Sequence, residues 1–220
     1  EITVESNQAH YLFNVMRLGV GKSLLIFNGR DGEWRAEIIE TGKRRGTLRA
    51  TEQTRPQDQP PDIELLFAPI KKARTDFIVE KAVEMGARRI VPMTTDYTNS
   101  ERIRQDRLQA HAIEAAEQCG ATYVPQVAPL TKFETLLAQI PGRNLVFCDE
   151  AEAGKARDVP QGGGDAAWSI LIGPEGGFSP NERSRLHALP RTHVLSLGPR
   201  ILRAETAAVA ALTIWQSRFG

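Results

Sequence analysis

The chain has 220 residues with 28 basic and 27 acidic side chains, 25% charged and 41% hydrophobic, a composition that excludes collagen, coiled coil and wholesale disorder. At roughly 150 residues per domain it holds one large domain, or a medium domain with a small companion, and at this length it needs neither a disulfide nor a metal to stay folded. Its charge-free stretches, such as residues 119–131, fall short of the ~18 apolar residues of a membrane helix; Glu1-Ile2-Thr3-Val4-Glu5 carries no signal-peptide pattern; and two Cys and four His without paired spacing give neither a disulfide framework nor a zinc site, so a cytoplasmic setting without metal is expected.

Residues 1 to about 55 read as β-structure. Asn7 to Leu18 reads as a short helix with Tyr11, Leu12, Val15 and Leu18 along one side. Ser23-Leu24-Leu25-Ile26-Phe27 is a short strand ended by Asn28-Gly29, a hairpin signal repeated at Asp31-Gly32. Further strands follow at residues 33–40 and 47–51, around a Gly42–Gly46 turn, the spacing of a small barrel or sandwich. Residues 54–61 are polar and proline-rich and read as a linker.

Beyond the linker the period changes. Buried strands are expected at residues 63–68, 89–93, 144–148, 168–172 and 193–197. Helices are expected at 75–85, closed by Gly86, at 101–119, closed by Gly120, and at 204–216. Thr131-Lys132-Phe133-Glu134 and Ser179-Pro180-Asn181-Glu182 read as capping boxes that open two more. Residues 151–166, with three successive glycines, read as an exposed loop. Alternating strands and helices mean a mostly parallel sheet with helices on its faces.

Two segments carry the chemistry. Ile170-Leu171-Ile172-Gly173-Pro174-Glu175-Gly176-Gly177-Phe178-Ser179 is a buried strand, a glycine turn and a capped helix, and ligands of parallel sheets bind at the carboxyl ends of strands. The turn lacks the Lys of a phosphate loop and the spacing of a dinucleotide loop. Glu175 would repel phosphate and suits a cationic or neutral ligand. Leu195-Ser196-Leu197-Gly198-Pro199-Arg200-Ile201-Leu202-Arg203-Ala204-Glu205-Thr206-Ala207 repeats the strand–turn–helix pattern. From the residues alone each is either a plain tight turn or half of a pocket, and an Arg203–Glu205 pair is either a surface ion pair or part of a site. Arg outnumbers Lys 21 to 7, a bias that suits an RNA partner and equally a GC-rich genome.

These two segments closely resemble the cofactor segments of the RsmE family, bacterial 16S ribosomal RNA uridine-N3 methyltransferases of the SPOUT superfamily. His10 to Arg17 with Gly19-Val20-Gly21, Lys71-Lys72-Ala73-Arg74, Lys81-Ala82-Val83-Glu84-Met85-Gly86, Asn99-Ser100-Glu101-Arg102 and Glu117-Gln118-Cys119-Gly120 extend the resemblance over nearly the whole chain. It departs at Ala121, where relatives often carry Arg, and the chain starts later than expected for the family, as if a first barrel strand were missing.

The resemblance implies an α/β fold: a small PUA-like β-barrel, RNA-binding, at residues 1–55; a linker at 56–61; and at 62–220 a SPOUT-type methyltransferase domain with a trefoil knot. It implies S-adenosyl-L-methionine held by Ile172, Gly173, Glu175, Gly176, Gly177, Leu195, Leu197, Gly198, Ile201, Leu202 and Thr206. Arg203 and Arg200 would stabilise charge on the uracil oxygens, and Glu205 would accept the N3 proton or orient Arg203. Arg17, Lys43, Arg44, Arg45, Lys71, Lys72, Arg74 and Arg102 are the expected contacts to 16S ribosomal RNA or the small subunit. A homodimer is implied, with helix 204–216 either at the dimer interface or in the core. The alternatives are a SPOUT methyltransferase with another RNA target and a noncatalytic ribosome-assembly factor.

Overall fold

A computed structural model describes residues 1–100, 102–152 and 166–219. The chain divides into two compact units, Glu1–Asp58 and Gln59–Gly220.

The first unit is a four-stranded antiparallel sheet of β1 (Ile2–Glu5), β2 (Ser23–Phe27), β3 (Glu33–Glu40) and β4 (Arg45–Arg55), in the order β1-β4-β3-β2. Irregularities at three points of the β3–β4 register bend the sheet and add twist. Val4, Ala9, Ala36, Ile38 and Leu48 form its core, with Leu12, Phe13, Leu18, Leu24 and Ile26 packed against them. The sequence predicts no strand at residues 2–5, because Val4 alone among them is buried and one apolar position sets no period. The helix predicted over residues 7–18 is instead α1 (Ser6–Ala9) running into a π-helical segment, His10–Val15. That wider winding breaks the α-helical stripe, so Tyr11 and Val15 are exposed while Leu12 and Leu18 reach the core. The start of the predicted linker is strand: Thr54 and Arg55 lie in β4, where Thr54 Oγ1 donates to Glu33 Oε1 (2.8 Å) and Arg55 Nη2 to Glu33 Oε2 (2.6 Å).

The second unit is a parallel α/β sheet. Its elements are β5 (Ile63–Phe67), α2 (Lys72–Glu84), β6 (Arg89–Thr94), α3 (Gln105–Cys119), β7 (Gln126–Val127), β8 (Thr131–Lys132), α4 (Phe133–Gln139), β9 (Asn144–Cys148), β10 (Trp168–Ile172), α5 (Pro180–His187), β11 (Thr192–Val194) and α6 (Ala204–Phe219). The sheet order is β11-β9-β10-β5-β6-β7, with β8 beside β6. β5 and β10 are buried along their whole length, as strands covered on both faces must be. Leu66, Val91, Phe147 and Leu171 pack one face of the sheet with Phe133 and Leu136 of α4 and Leu186 of α5. α6 packs against α2 and β10, burying Ala208, Ala211, Leu212 and Trp215.

Three local expectations change. Thr131 and Lys132 form β8 rather than a cap: Thr131 Oγ1 donates to Pro129 O (3.0 Å), and α4 starts at Phe133 with no side-chain cap bond. Helix α3 starts at Gln105, and Glu101 lies outside the described residues. The strand predicted over 193–197 ends at Val194, just before Leu195 N donates to Phe147 O of β9 (2.9 Å). Of the predicted loop 151–166, residues 153–165 lie outside the described residues.

Candidate active site

The carboxyl ends of β9 and β10 open into a cleft of about 580 Å³, counting the part open to solvent. The end of β10 supplies Ile172, and the turn after it Gly173, Pro174, Glu175 and Gly177. The segment after β11 supplies Leu195, Leu197, Gly198, Arg200, Ile201 and Leu202, and α6 adds Ala204 and Ala207. The two glycine segments thus line one cavity. Local chemistry explains how the first is held. Ser179 caps α5 by accepting from Glu182 N (3.3 Å), and Glu182 Oε2 accepts from Ser179 N (2.9 Å). The same pair grips the loop after β6: Ser179 Oγ lies 2.6 Å from Asp96 Oδ2, and Glu182 Oε1 accepts from Asp96 N (2.9 Å). A Cβ on Gly177, at φ +68°, would sit 1.5 Å from Glu150 Oε1. That close approach requires glycine.

Sequence reasoning missed the third wall: Cys148, Asp149 and Glu150, at the end of β9. The strands before the two glycine turns are not adjacent: β9 runs between β10 and β11. The carboxyl-end rule applied to β9 would have found these residues. Asp149 has no side-chain exposure and accepts from Arg183 Nε and Nη2 at 2.8–3.1 Å, with His187 Nε2 at 3.1 Å. It anchors α5 under the cleft. Hydrogen bonding to Asp149 raises the Arg183 pKa further above its ordinary value. Burial pushes the Cys148 thiol up to about 12.

Nine of the eleven expected cofactor positions line the cleft; Gly176 and Thr206 do not. Gly176 is exposed, and a Cβ there would meet Tyr97 Cβ at 3.3 Å. Of the expected catalytic residues, Arg200 lines the cleft, whereas Arg203 and Glu205 lie beside it, at the entry to α6. Arg203 is exposed. Glu205 pairs with Arg74 of α2 (Nε–Oε1 3.4 Å) rather than with Arg203, which precedes α6. Arg74 also binds Glu175 in the first glycine turn (Nη1–Oε1 2.6 Å).

The remaining expected RNA contacts are exposed. Arg17 follows the π-helical segment, at φ +55°, Lys43 and Arg44 lie in the β3–β4 turn, and Arg45 opens β4. In the second unit Lys71, Lys72 and Arg102 are exposed. Among the described residues no helix is long and apolar enough to cross a membrane.

Comparison with known proteins gives the same outline. Residues 57–216 match the RNA methyltransferase domain family, and residues 4–50 the RNA methyltransferase PUA domain family. The ribosomal RNA small subunit methyltransferase E of Rickettsia conorii is 31% identical over 94% of this chain and 85% of that protein. The crystal structure of the Neisseria gonorrhoeae enzyme of that name, bound to S-adenosylmethionine, superposes with a TM-score of 0.85 at 27% identity, over 100% of this chain and 92% of that one. A Legionella pneumophila structure in complex with the same cofactor gives 0.84 at 26% identity, over 100% and 92%. A parallel sheet whose glycine turns share one cleft, preceded by a PUA unit, and this relationship over nearly the full length of both chains, make the protein a member of the ribosomal RNA small subunit methyltransferase E family.

Proposed function

We propose that the protein transfers the methyl group of S-adenosyl-L-methionine to N3 of a specific uridine in 16S ribosomal RNA of the small subunit. The observation that carries this reading is the convergence of two glycine segments on one cleft at the carboxyl ends of parallel strands. The cleft fits the cofactor by its chemistry. Ile172, Leu197, Ile201 and Leu202 offer apolar surface for an adenine, and the Glu150 carboxylate suits a ligand carrying a positive sulfonium and ammonium, while Glu175 bounds the cleft with its carboxylate paired to Arg74. When bound, S-adenosylmethionine supplies a methyl group already activated on sulfur.

The protein's own residues then have two tasks. Uracil N3 must lose its proton to become a nucleophile; Glu205, expected to accept it, has Oε1 paired with Arg74 and Oε2 enclosed by protein, so in this reading the proton passes to solvent. The charge released spreads onto the flanking uracil oxygens, where Arg203 and Arg200 stabilise it. N3 lies on the Watson–Crick edge, so the base enters unpaired or flipped out. Arg17, Lys43, Arg44, Arg45, Lys71, Lys72 and Arg102 hold the RNA through its phosphates. We assign RNA binding to residues 1–55, a linker to 56–61 and the methyltransferase domain to 62–220. The protein works as a cytoplasmic homodimer in this reading. The buried side of α6 is spent on α2 and β10, so the interface would use its other residues, Val209, Ala210 and Ile214 among them.

The test is a methylation assay with isotopically labelled S-adenosylmethionine, on undermethylated small subunits and on their stripped RNA, followed by nucleoside mass spectrometry. Labelled 3-methyluridine is expected. A different labelled nucleoside would discard the target while keeping the reaction. Absence of both label and cofactor binding would leave the noncatalytic assembly factor in front.

A further inference from the structure

We propose that Arg74 is the positioning residue of the cleft: one guanidinium ties the first glycine turn to the first turn of α6, so that both close on the methyl donor as a unit. This rests on the reading of the cleft as a cofactor site. Arg74 sits in the first turn of α2, which is anchored behind it. Thr75 is buried, its Oγ1 accepting from Ile70 N (3.0 Å) and donating to Ile70 O (3.1 Å). From this fixed base the side chain splits its contacts. Nη1 reaches Glu175 Oε1 at 2.6 Å, and Nε reaches Glu205 Oε1 at 3.4 Å. Glu175 belongs to the cleft wall, and Glu205 follows Ala204, which also lines it.

Arg suits this place because its planar fork presents separate nitrogens in fixed directions, whereas a Lys ammonium is a single point. A second observation concerns the far side of the tie. Glu205 Oε2 is enclosed by protein and accepts no hydrogen bond from the described residues. A buried carboxylate oxygen without a donor is costly, so the guanidinium on the other oxygen is what sets this side chain's orientation. The same geometry takes Arg74 out of the expected RNA contacts. A phosphate would have to displace two carboxylates to reach it.

The experiment compares full-length wild type with R74M, R74K and E175Q. Calorimetric titration with S-adenosylmethionine should show R74M weakened on the order of tenfold, the effect of losing a charge-assisted hydrogen bond. R74K, able to satisfy one carboxylate, should fall between. Added to R74M, E175Q should cost less than about a further twofold, because both changes break the same tie. Hydrogen exchange without ligand should quicken in residues 173–179 and 203–208 together in R74M, and in 173–179 alone in E175Q. Full additivity of the two substitutions, or wild-type affinity and wild-type exchange in R74M, would overturn the proposal. Thermal melting of R74K shows whether the fold survives. Should wild type itself fail to bind S-adenosylmethionine, the cofactor reading falls, and the exchange data still decide whether Arg74 couples the two segments.

Discussion

At Gly177 the backbone has φ +68°, and the Glu150 carboxylate occupies the space a side chain would need. Gly177→Ala is therefore expected to cost about 1–2 kcal/mol from the left-handed backbone alone and to weaken S-adenosylmethionine binding, as read by calorimetry. Gly176→Ala should be milder, because its Cβ meets only Tyr97, at 3.3 Å. The two cysteines give a chemical contrast. Cys119 is exposed, and Cys148 is buried with its thiol pushed up to about 12, so at about pH 8 iodoacetamide should alkylate Cys119 and spare Cys148, since the thiolate is the reacting form. Mass spectrometry of the tryptic peptides reads this directly. Arg203→Ala is expected to cut turnover more than cofactor affinity, and equal loss of both in steady-state and binding measurements would remove Arg203 from catalysis. The glycine strings were legible at this scale because they are contiguous. Glu150 and Asp149 were not, because nothing in their own segment marks them until the strand order sets β9 between the other two.

Among the elements, α5 shows how local signals and tertiary contacts combine. Ser179-Pro180-Asn181-Glu182 announces the helix, and the capping box forms as read. What the string does not disclose is that Glu182 and Ser179 also hold Asp96 in the loop after β6. Glu182→Ala strands the amides of Ser179 and Asp96, so a loss of about 2–3 kcal/mol is expected, more than the ~1 kcal/mol of an isolated cap. Urea denaturation measures it. The similar string at Thr131 failed because its Thr was already engaged in strand pairing with β6, and Glu134 turns outward to Arg185. That contact holds the Glu134 carboxyl below its ordinary pKa. A cap depends on which backbone groups remain free, and four letters do not carry that. Long apolar runs such as β5 and β10 were legible because their burial leaves few alternatives. The two-residue strands β7 and β8 were not, being too short to show a period.

For the whole molecule, a change from hairpin signals to alternating strands and helices marked the passage from one unit to the other, while the strand order and the path of the chain over the strand ends depend on contacts far apart in sequence. The amino ends of the central strands are pinned by Arg143. It donates to Asp62 Oδ1 (2.9 Å), Trp168 O (2.6 Å) and Ser169 Oγ (3.0 Å) and lies 3.2 Å from Glu64 Oε1, and Ser169 Oγ in turn bonds Glu64 (2.7 Å). Removing one partner of such a partly buried network is expected to cost about 2 kcal/mol. Arg143→Ala should lower the melting temperature of the protein and leave its affinity for S-adenosylmethionine unchanged. The five-residue strands β9 and β10 separate this network from the cleft by roughly 15 Å. The same strands thus have one end committed to holding together and the other to holding a ligand. Segments at the ligand end can drift, lengthen or be exchanged over many generations without loosening the end that keeps the sheet intact, which leaves a scaffold of this kind free to acquire new substrates while its core sequence stays nearly still.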